Sequence, residues 1–101
     1  MAGPIEITAS YTKTTAATND VIAAVTGKKI IVTSLVLVCA AANSVNWEDG
    51  TTDISGVMSF AANGGYSLSG SRLLETTAGA TLALTQTGAT VVSGHLTYHL
   101  E

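Results

Sequence analysis

His95 and His99, two histidines near the end of the chain, are the side chains best suited to metal or acid–base chemistry. On a strand, residues four apart are separated by about 13 Å, at about 3.3 Å per residue. A zinc–nitrogen bond is only about 2 Å long, so these two side chains cannot hold one ion within one chain. We therefore expect no metal site, and we interpret both histidines as residues of a contact between subunits.

Trp47 and three nearby carboxylates, Glu48, Asp49 and Asp53, form the second group with chemical potential. The carboxylates lack the regular alternation of an EF-hand loop, and the Asp-Gly pair among them is a strong hairpin signal. We therefore expect a solvated turn rather than a calcium site. The Trp47 ring, with Tyr66, could stack on a sugar or touch a partner protein; the alternative is that Trp47 caps the core. The candidate partner contacts are Trp47, Asp49, Asp53 and Tyr66.

No serine, cysteine or lysine of the chain stands in a complete catalytic pattern. Ser67, in GGYSLSG, lacks the final glycine of the G-x-S-x-G motif. Cys39 lies inside an apolar stretch, where a free cysteine acts as a small buried hydrophobic residue. Lys28 follows a glycine, but the first glycine of a phosphate-binding loop is absent and Lys29 replaces its hydroxyl residue. We therefore predict that the chain is not an enzyme and binds no cofactor.

The charge pattern and the length of the longest apolar segment exclude nucleic acid and membrane from the expected partners. The formal net charge is −3, and the four Lys and Arg residues are scattered rather than gathered into a basic stripe that could neutralise phosphates. The longest apolar segment, residues 30–42, is shorter than the roughly 20 residues that a membrane span needs. No basic and apolar signal peptide begins the chain, so we expect synthesis in the cytoplasm.

The composition predicts a surface that permits close contact between strands or between subunits. Only 11% of residues are charged, compared with about 25% in ordinary globular chains. Sixteen Thr and fifteen Ala residues make up nearly a third of the chain, and such short side chains let neighbouring strands approach closely. These features indicate an oligomer; a secreted or exported β-domain with a hydroxyl-rich surface is the alternative.

The stretch from Lys29 to Ala40, KIIVTSLVLVCA, is the element around which we expect the fold to form. With a strict period of two, both faces are apolar, one carrying Ile30, Val32, Val36 and Val38 and the other Ile31, Thr33, Leu35, Leu37 and Cys39. An antiparallel sheet with one wet face would alternate apolar and polar residues. We therefore expect this strand to be covered on both sides, by a second sheet and either more of the same chain or another subunit.

The remaining chain is predicted to form short strands between turns. Residues 5–12 alternate as an edge strand does, and residues 1–17 form an N-terminal arm or edge strand. Turns are expected at residues 49–50, 63–65 and 69–71, and residues 81–85 and 89–100 are expected to pair as a hairpin. This spacing predicts an all-β, single-domain β-sandwich over residues 1–101. A jelly roll of about eight strands is the predicted wiring, and an immunoglobulin-like sandwich is the alternative.

Three blocks of the sequence carry a resemblance to known proteins. They are NDVIAAVTGKKIIVTSLVLV (19–38), WEDGTTDISGVMSFAANGGYSL (47–68) and LETTAGATLALTQTGATVVSGHLTY (74–98). Together they resemble small β-sandwich virion proteins of tailed bacteriophages, of the sort encoded among head and tail genes. The resemblance implies a jelly-roll-like capsid decoration or cement protein that binds the virion exterior as a homotrimer and stabilises it. The implied partners are further copies of the chain and the major capsid protein or another virion protein, and the implied location is the virion, after synthesis in the host cytoplasm.

The expected subunit contact combines the N-terminal strand, the long apolar strand and the two histidines. Its residues are Ile5, Ile7, Tyr11, Leu35, Leu37, His95 and His99. The alternative function is a tail, fibre or carbohydrate-binding module that uses Trp47 and Tyr66.

Overall fold

The structure, a computed structural model, describes residues 5–101 and folds them into nine β-strands with no helix among them. The strands are β1 (Ile7–Lys13), β2 (Thr18–Ile22), β3 (Ile30–Cys39), β4 (Asn43–Asp49), β5 (Thr52–Asp53), β6 (Met58–Phe60), β7 (Gly65–Glu75), β8 (Leu82–Gln86) and β9 (Val92–Leu100). The predicted all-β sandwich is confirmed. Within this part of the chain no helix is long and apolar enough to cross a membrane.

Two antiparallel sheets pack against each other around the core. The front sheet has the order β1-β9-β3-β7, and the back sheet has the order β2-β8-β4-β5, with β6 also pairing with β4. Of the predicted N-terminal arm, residues 1–4 lie outside the described residues, and β1 pairs with β9 of its own chain along its whole length. The front sheet therefore ends at β1 on one side and at β7 on the other.

The long strand β3 turns most of its apolar side chains towards the core of its own chain. A bulge at Thr33 shifts the register between Val32 and Ser34 against both neighbouring strands. Since a one-residue shift reverses which face a side chain occupies, the core receives residues from both halves of the strand, namely Ile30, Val32, Leu35, Leu37 and Cys39. The predicted division of the strand into two faces with a strict period of two is therefore wrong past the bulge, where the outer face carries Ser34, Val36 and Val38.

An aromatic cluster fills the centre of the core. The fully buried Trp47 ring meets the Tyr11 ring edge-on at a centroid distance of 5.8 Å. Trp47 Nε1 donates a hydrogen bond to Tyr66 Oη at 3.0 Å, and Tyr11 Oη donates one to the Val36 carbonyl at 2.8 Å. Burial raises the pKa of the Tyr11 hydroxyl, with a smaller contribution from nearby Tyr66. Each buried polar atom of this cluster thus has a partner, which buried hydroxyl and indole groups require.

The predicted hairpin between residues 81–85 and 89–100 is wrong, because its two strands belong to different sheets. Strand β8 pairs with β2 and β4, whereas β9 pairs with β1 and β3. The side chain of Asn43 fixes the bend between β8 and β9 with two hydrogen bonds. Its Nδ2 donates to the Gly88 carbonyl at 3.1 Å, and Gly88 N–H donates to its Oδ1 at 2.8 Å. Alternation of apolar and polar residues predicts which face of a strand is buried, but it does not predict which strand pairs with it.

Two of the three predicted turns are confirmed. Gly50, with a φ of 64°, lies in the two-residue loop that joins β4 to β5, and Asn63, also with a φ of 64°, lies in the turn before β7. The predicted third turn, at residues 69–71, is instead part of β7. There the pairing with β3 jumps from Ser69 to Leu74, so the residues between them form a wide bulge within one strand.

Gly94 is predicted to be essential for the packing of β9 against the aromatic cluster. A Cβ at this position would lie 1.9 Å from the Val36 carbonyl oxygen and 2.9 Å from Tyr11 Oη. Because neither atom has free space to move into, we expect Gly94→Ala to lower the free energy of unfolding by roughly 1–3 kcal/mol in urea titrations. Gly56→Ala is the matched control, since a Cβ there meets no atom within 4 Å. Equal stabilities for the two variants would contradict this packing.

Candidate interaction surface

The outer face of the front sheet is a continuous surface without charged side chains along most of its length. We call this surface the front face, and all four strands of the sheet contribute to it. Its residues are Thr8, Ser10 and Thr12 of β1, Ser93, His95 and Thr97 of β9, Ser34, Val36 and Val38 of β3, and Ser67 and Ser69 of β7. The exposed His95 is the one titratable group among them, opposite Ser10 on β1 and Val36 on β3. Hydroxyl and aliphatic groups of this kind can be buried against another protein without removing ions from water.

A shallow groove of about 300 Å³ crosses the front face near the β7 edge. It is lined by three serines, the imidazole of His95, Val36, and the two leucines that lie between them along the strands: Ser34, Leu35, Val36, Ser67, Leu68, Ser69 and His95. No carboxylate and no basic side chain other than the imidazole lines it. Its chemistry therefore suits an uncharged protein segment rather than a phosphate or a metal ion.

The charge-free surface continues over one end of the sandwich, which we call the charge-free end. The pairing of Lys13 with Val92 on β9, together with the register of β3 and β7, brings four connections to this end. These connections are residues 14–17, 40–42, 61–64 and 87–91, and they consist only of Ala, Thr, Gly, Asn and Val. Small uncharged side chains thus form both the front face and the four connections next to it, and Lys13, the last residue of β1, is the charged residue that borders them.

Apart from Lys13 at the end of β1, the charged side chains of the front sheet lie at the opposite end. Arg72 donates to both carboxylate oxygens of Glu101, at 2.8 and 3.0 Å, and also binds Glu75. The buried His99 lies between Glu101 Oε2, at 2.7 Å from its Nε2, and Glu6 Oε1, at 3.5 Å from its Nδ1. Hydrogen bonding from Arg72, with a second contribution from His99, lowers the pKa of Glu101 to about 2. His99 is therefore part of an ion network within the chain.

The back sheet carries a row of acidic residues across its outer face. Asp20 and Glu48 both lie opposite Ala83 in the strand register, and Asp53 lies opposite Glu48. The Glu48 carboxylate accepts hydrogen bonds from Thr18, at 3.0 Å, and from Thr85. Among residues 5–101 no group of His, Cys, Asp or Glu side chains has the arrangement of a metal site. Charge is thus concentrated on the back sheet and at the end opposite the charge-free end.

Several residues predicted to contact partners are instead buried in the chain's own core. Leu35 and Leu37 have almost no exposed surface, and Tyr11 is buried beside Trp47, so the structure corrects their assignment to a subunit contact. Trp47 is likewise inside, because its indole N–H finds its partner in Tyr66. A sugar or protein could reach none of these four rings and side chains without unfolding the core.

The other predicted contact residues keep some exposed surface or take part in contacts within the chain. Ile5 is 83% exposed and Ile7 is 39% exposed at the start of β1, and His95 is exposed on the front face. The side chain of Asp53 accepts a hydrogen bond from Asn46 at 2.9 Å, and that of Asp49 accepts one from Thr77 N–H at 2.8 Å. Tyr66 is partly buried and its ring stacks on Phe60 at 5.7 Å.

Sequence reasoning missed the edge formed by β7. Leu68 is 52% exposed, and Ser67 and Ser69 are exposed on either side of it. The available signal was the run GYSLSGS at residues 65–71, which has no charged residue and no proline. Natural edge strands usually carry such residues as protection against pairing, so this part of the β7 edge is unprotected.

The burial of Trp47 predicts the behaviour of the single tryptophan in solution. Because the ring is fully buried, we expect iodide to quench the fluorescence of the folded protein weakly and that of the urea-unfolded protein strongly. Addition of mono- or oligosaccharides should leave the emission unchanged. Strong iodide quenching or saturable quenching by a sugar in the folded state would contradict the placement of Trp47.

The ion network of Arg72 predicts a specific dependence of stability on pH. Since the pKa of Glu101 in the folded chain is about 2, below its ordinary 4.5, its stabilising contribution is complete above pH 4.5 and disappears as the pH falls towards 2. We expect Arg72→Gln to lower the melting temperature at pH 6 and to differ progressively less from the original chain at lower pH. Lys13→Gln removes the same charge from β1 and serves as the control. A difference that does not change with pH would contradict the network.

Comparisons of this chain with models of protein families, with curated proteins and with solved structures found no match. Its function is therefore argued from the placement of its own residues. The features that distinguish this sandwich are the front face, the two edges of the front sheet and the charge-free end.

Proposed function

We propose that this chain is a non-enzymatic structural protein of a tailed bacteriophage virion, a decoration protein that binds the capsid exterior as a homotrimer and stabilises it. Its partners are two further copies of the chain and the major capsid protein or another virion protein. The proposal includes jelly-roll wiring. The strand order supports it, because a jelly roll divides eight strands between two sheets that exchange strands through Greek-key connections.

The separation of charged and uncharged surface is the observation that carries the proposal. Burying an ion costs far more free energy than burying a hydroxyl that finds a new partner, and the cores of protein interfaces are depleted of charged residues. The front face and the charge-free end are the surfaces of this molecule that an assembly can bury at least cost. The acidic row of the back sheet lies away from both surfaces, with Asp20 and Asp53 exposed to water and Glu48 buried between two threonines.

Two kinds of contact are needed by a trimer that is seated on a larger particle, and the molecule offers a surface for each. The front face and the edges of its sheet serve the contact between copies. The charge-free end serves the contact with the virion, because its connections project from the ends of the strands. The alternative of a carbohydrate-binding module loses its support, since Trp47 and Tyr66 bond to each other inside the sandwich.

The assembly state is the first test of the proposal. Light scattering after size-exclusion chromatography should give a mass of about 31 kDa, three times the chain mass of 10.2 kDa. We expect Val38→Glu, which adds a charge to the exposed front face, to lower this mass. Thr52→Glu adds the same charge to an exposed position of the back sheet and should leave the mass unchanged. A monomer at high micromolar concentration would contradict the proposed trimer.

Addition of the purified protein to particles that lack it is the second test. We expect saturable binding and a higher temperature for particle disruption. Ala62→Glu, at the charge-free end, should remain trimeric but lose binding, whereas Thr52→Glu at the opposite end should bind normally. No binding by the original chain, under conditions in which the native particle carries the protein, would rule out the decoration role.

A further inference from the structure

We propose that β7 of one copy and β1 of the next copy pair as antiparallel strands, so that the front sheets of neighbouring copies become continuous. This inference rests on the proposed homotrimer and names the contact that builds it. It is carried by the direction, the free backbone groups and the uncovered side chains of the two edge strands. Both edges belong to the front sheet, and each is the last strand of that sheet among the described residues.

The backbone groups of β7 that face away from β3 can be assigned from the hydrogen bonds of the turn before it. Cys39 N–H donates to the Gly64 carbonyl at 2.8 Å. Since backbone groups along an antiparallel strand point alternately to either side, Tyr66 and Leu68 bond towards β3. The N–H and C=O groups of Gly65, Ser67 and Ser69 therefore point to the open edge.

The same reasoning assigns the free groups of β1. Ala40 N–H donates to the Val91 carbonyl at 2.9 Å, so the odd-numbered residues of β9 from 91 to 97 bond towards β3. The even-numbered residues of β9 then bond to Ile7, Ala9, Tyr11 and Lys13, their partners on β1. The backbone groups of Thr8, Ser10 and Thr12 are left pointing to the open edge.

These two sets of free groups match each other. In the described sheet β1 and β7 run in opposite directions, so a rotation about an axis along the strands places β1 of one copy antiparallel to β7 of the next. Three residues with outward groups on each strand then form three bonded pairs, Thr8 with Ser69, Ser10 with Ser67 and Thr12 with Gly65. The first two pairs place hydroxyl side chains opposite each other on the front face, and hydroxyl pairs across strands are favourable.

The aliphatic side chains at the two edges support the same register. Leu68 and Ile7 lie on the core side of the front sheet, yet they are 52% and 39% exposed because no further strand covers them. With Ser10 opposite Ser67, Leu68 lies opposite Ala9 of the neighbour, and Ile7 lies opposite Gly70. The pairing therefore covers apolar surface that a single copy leaves in water, and the removal of apolar surface from water favours association.

The pairing is head to tail, which distinguishes it from the other contact that an open β7 permits. Two copies that paired β7 with β7 would form a closed dimer and would leave both β1 edges free. Pairing β7 with β1 uses both edges of every copy, and a contact between two different surfaces closes into a ring when the rotation allows it. No two like charges face each other in this register, because residues 7–12 and 65–71 carry none.

Cysteine pairs test the contact and its polarity directly. Ala9→Cys and Leu68→Cys place thiols at a closely spaced, non-hydrogen-bonded pair of the proposed register, and the natural Cys39 is buried. The two single variants, mixed, unfolded and refolded together, should give a disulfide-linked dimer under mild oxidation. Each variant alone should give none, and the double variant should give covalent trimers on non-reducing gels. Efficient linkage of Leu68→Cys to itself, or no linkage in the mixture, would overturn the proposal.

A proline in β7 tests the backbone contact separately from the proposed function. Ser67→Pro removes an N–H that points to the open edge, so the bonds to β3 should survive while the added strand is blocked. We expect a monomer with an unchanged circular dichroism spectrum, whereas Ser67→Thr, which keeps the N–H, should remain trimeric. A folded Ser67→Pro variant that is still trimeric would overturn the edge contact but leave the decoration role intact. A monomeric original chain would instead overturn the trimer itself.

Discussion

The β-bulge at Thr33, which reverses the sheet face that the following side chains occupy, is the constraint on which the rest of the structure depends. One extra residue in β3 turns the second half of the strand over, so that Leu35, Leu37 and Cys39 join Ile30 and Val32 on the same side. Among the described residues, five of the thirteen buried members of the core thereby come from one strand. Because the largest apolar side chains of β3 point into the core, its outer side past the bulge carries only serine and valine.

The distribution of charge follows from this arrangement. Most charged residues lie on the back sheet or at the end that holds the network of Arg72, Glu101 and His99, and the exception in the front sheet is Lys13 at the end of β1. The desolvation cost of an ion then decides which surfaces can be buried by another molecule. Hydrogen-bonded hydroxyls and short aliphatic groups impose little of that cost, so the front face is the natural side for contact.

The faces of the strands could be predicted from the sequence, but several of their partners could not. Alternation along residues 89–100 places Val92, Leu96 and Tyr98 on one face of the strand, and the structure packs all three in or against the core. The pairing of β8 could not be predicted, because alternation is local and the corner at Gly88 depends on hydrogen bonds from distant Asn43. The bulge was equally invisible, since Thr33 and Ser34 fit either face. The sequence around Trp47 could not decide whether its ring is exposed or buried. The structure buries the ring, and its indole N–H donates a hydrogen bond to Tyr66.

The edges of the front sheet connect the fold to its proposed assembly. An uncharged edge strand is a template for pairing, and natural proteins protect such strands with lysine, proline or bulges. Here Lys13 stands only at the last position of β1, and the bulge of β7 begins only after Ser69. The protected half of β7 lies beside the charged network, and the open half lies beside the charge-free end. The unprotected edge, the front face and the charge-free end therefore form one continuous surface, and an assembly that buries part of it gains by burying the rest.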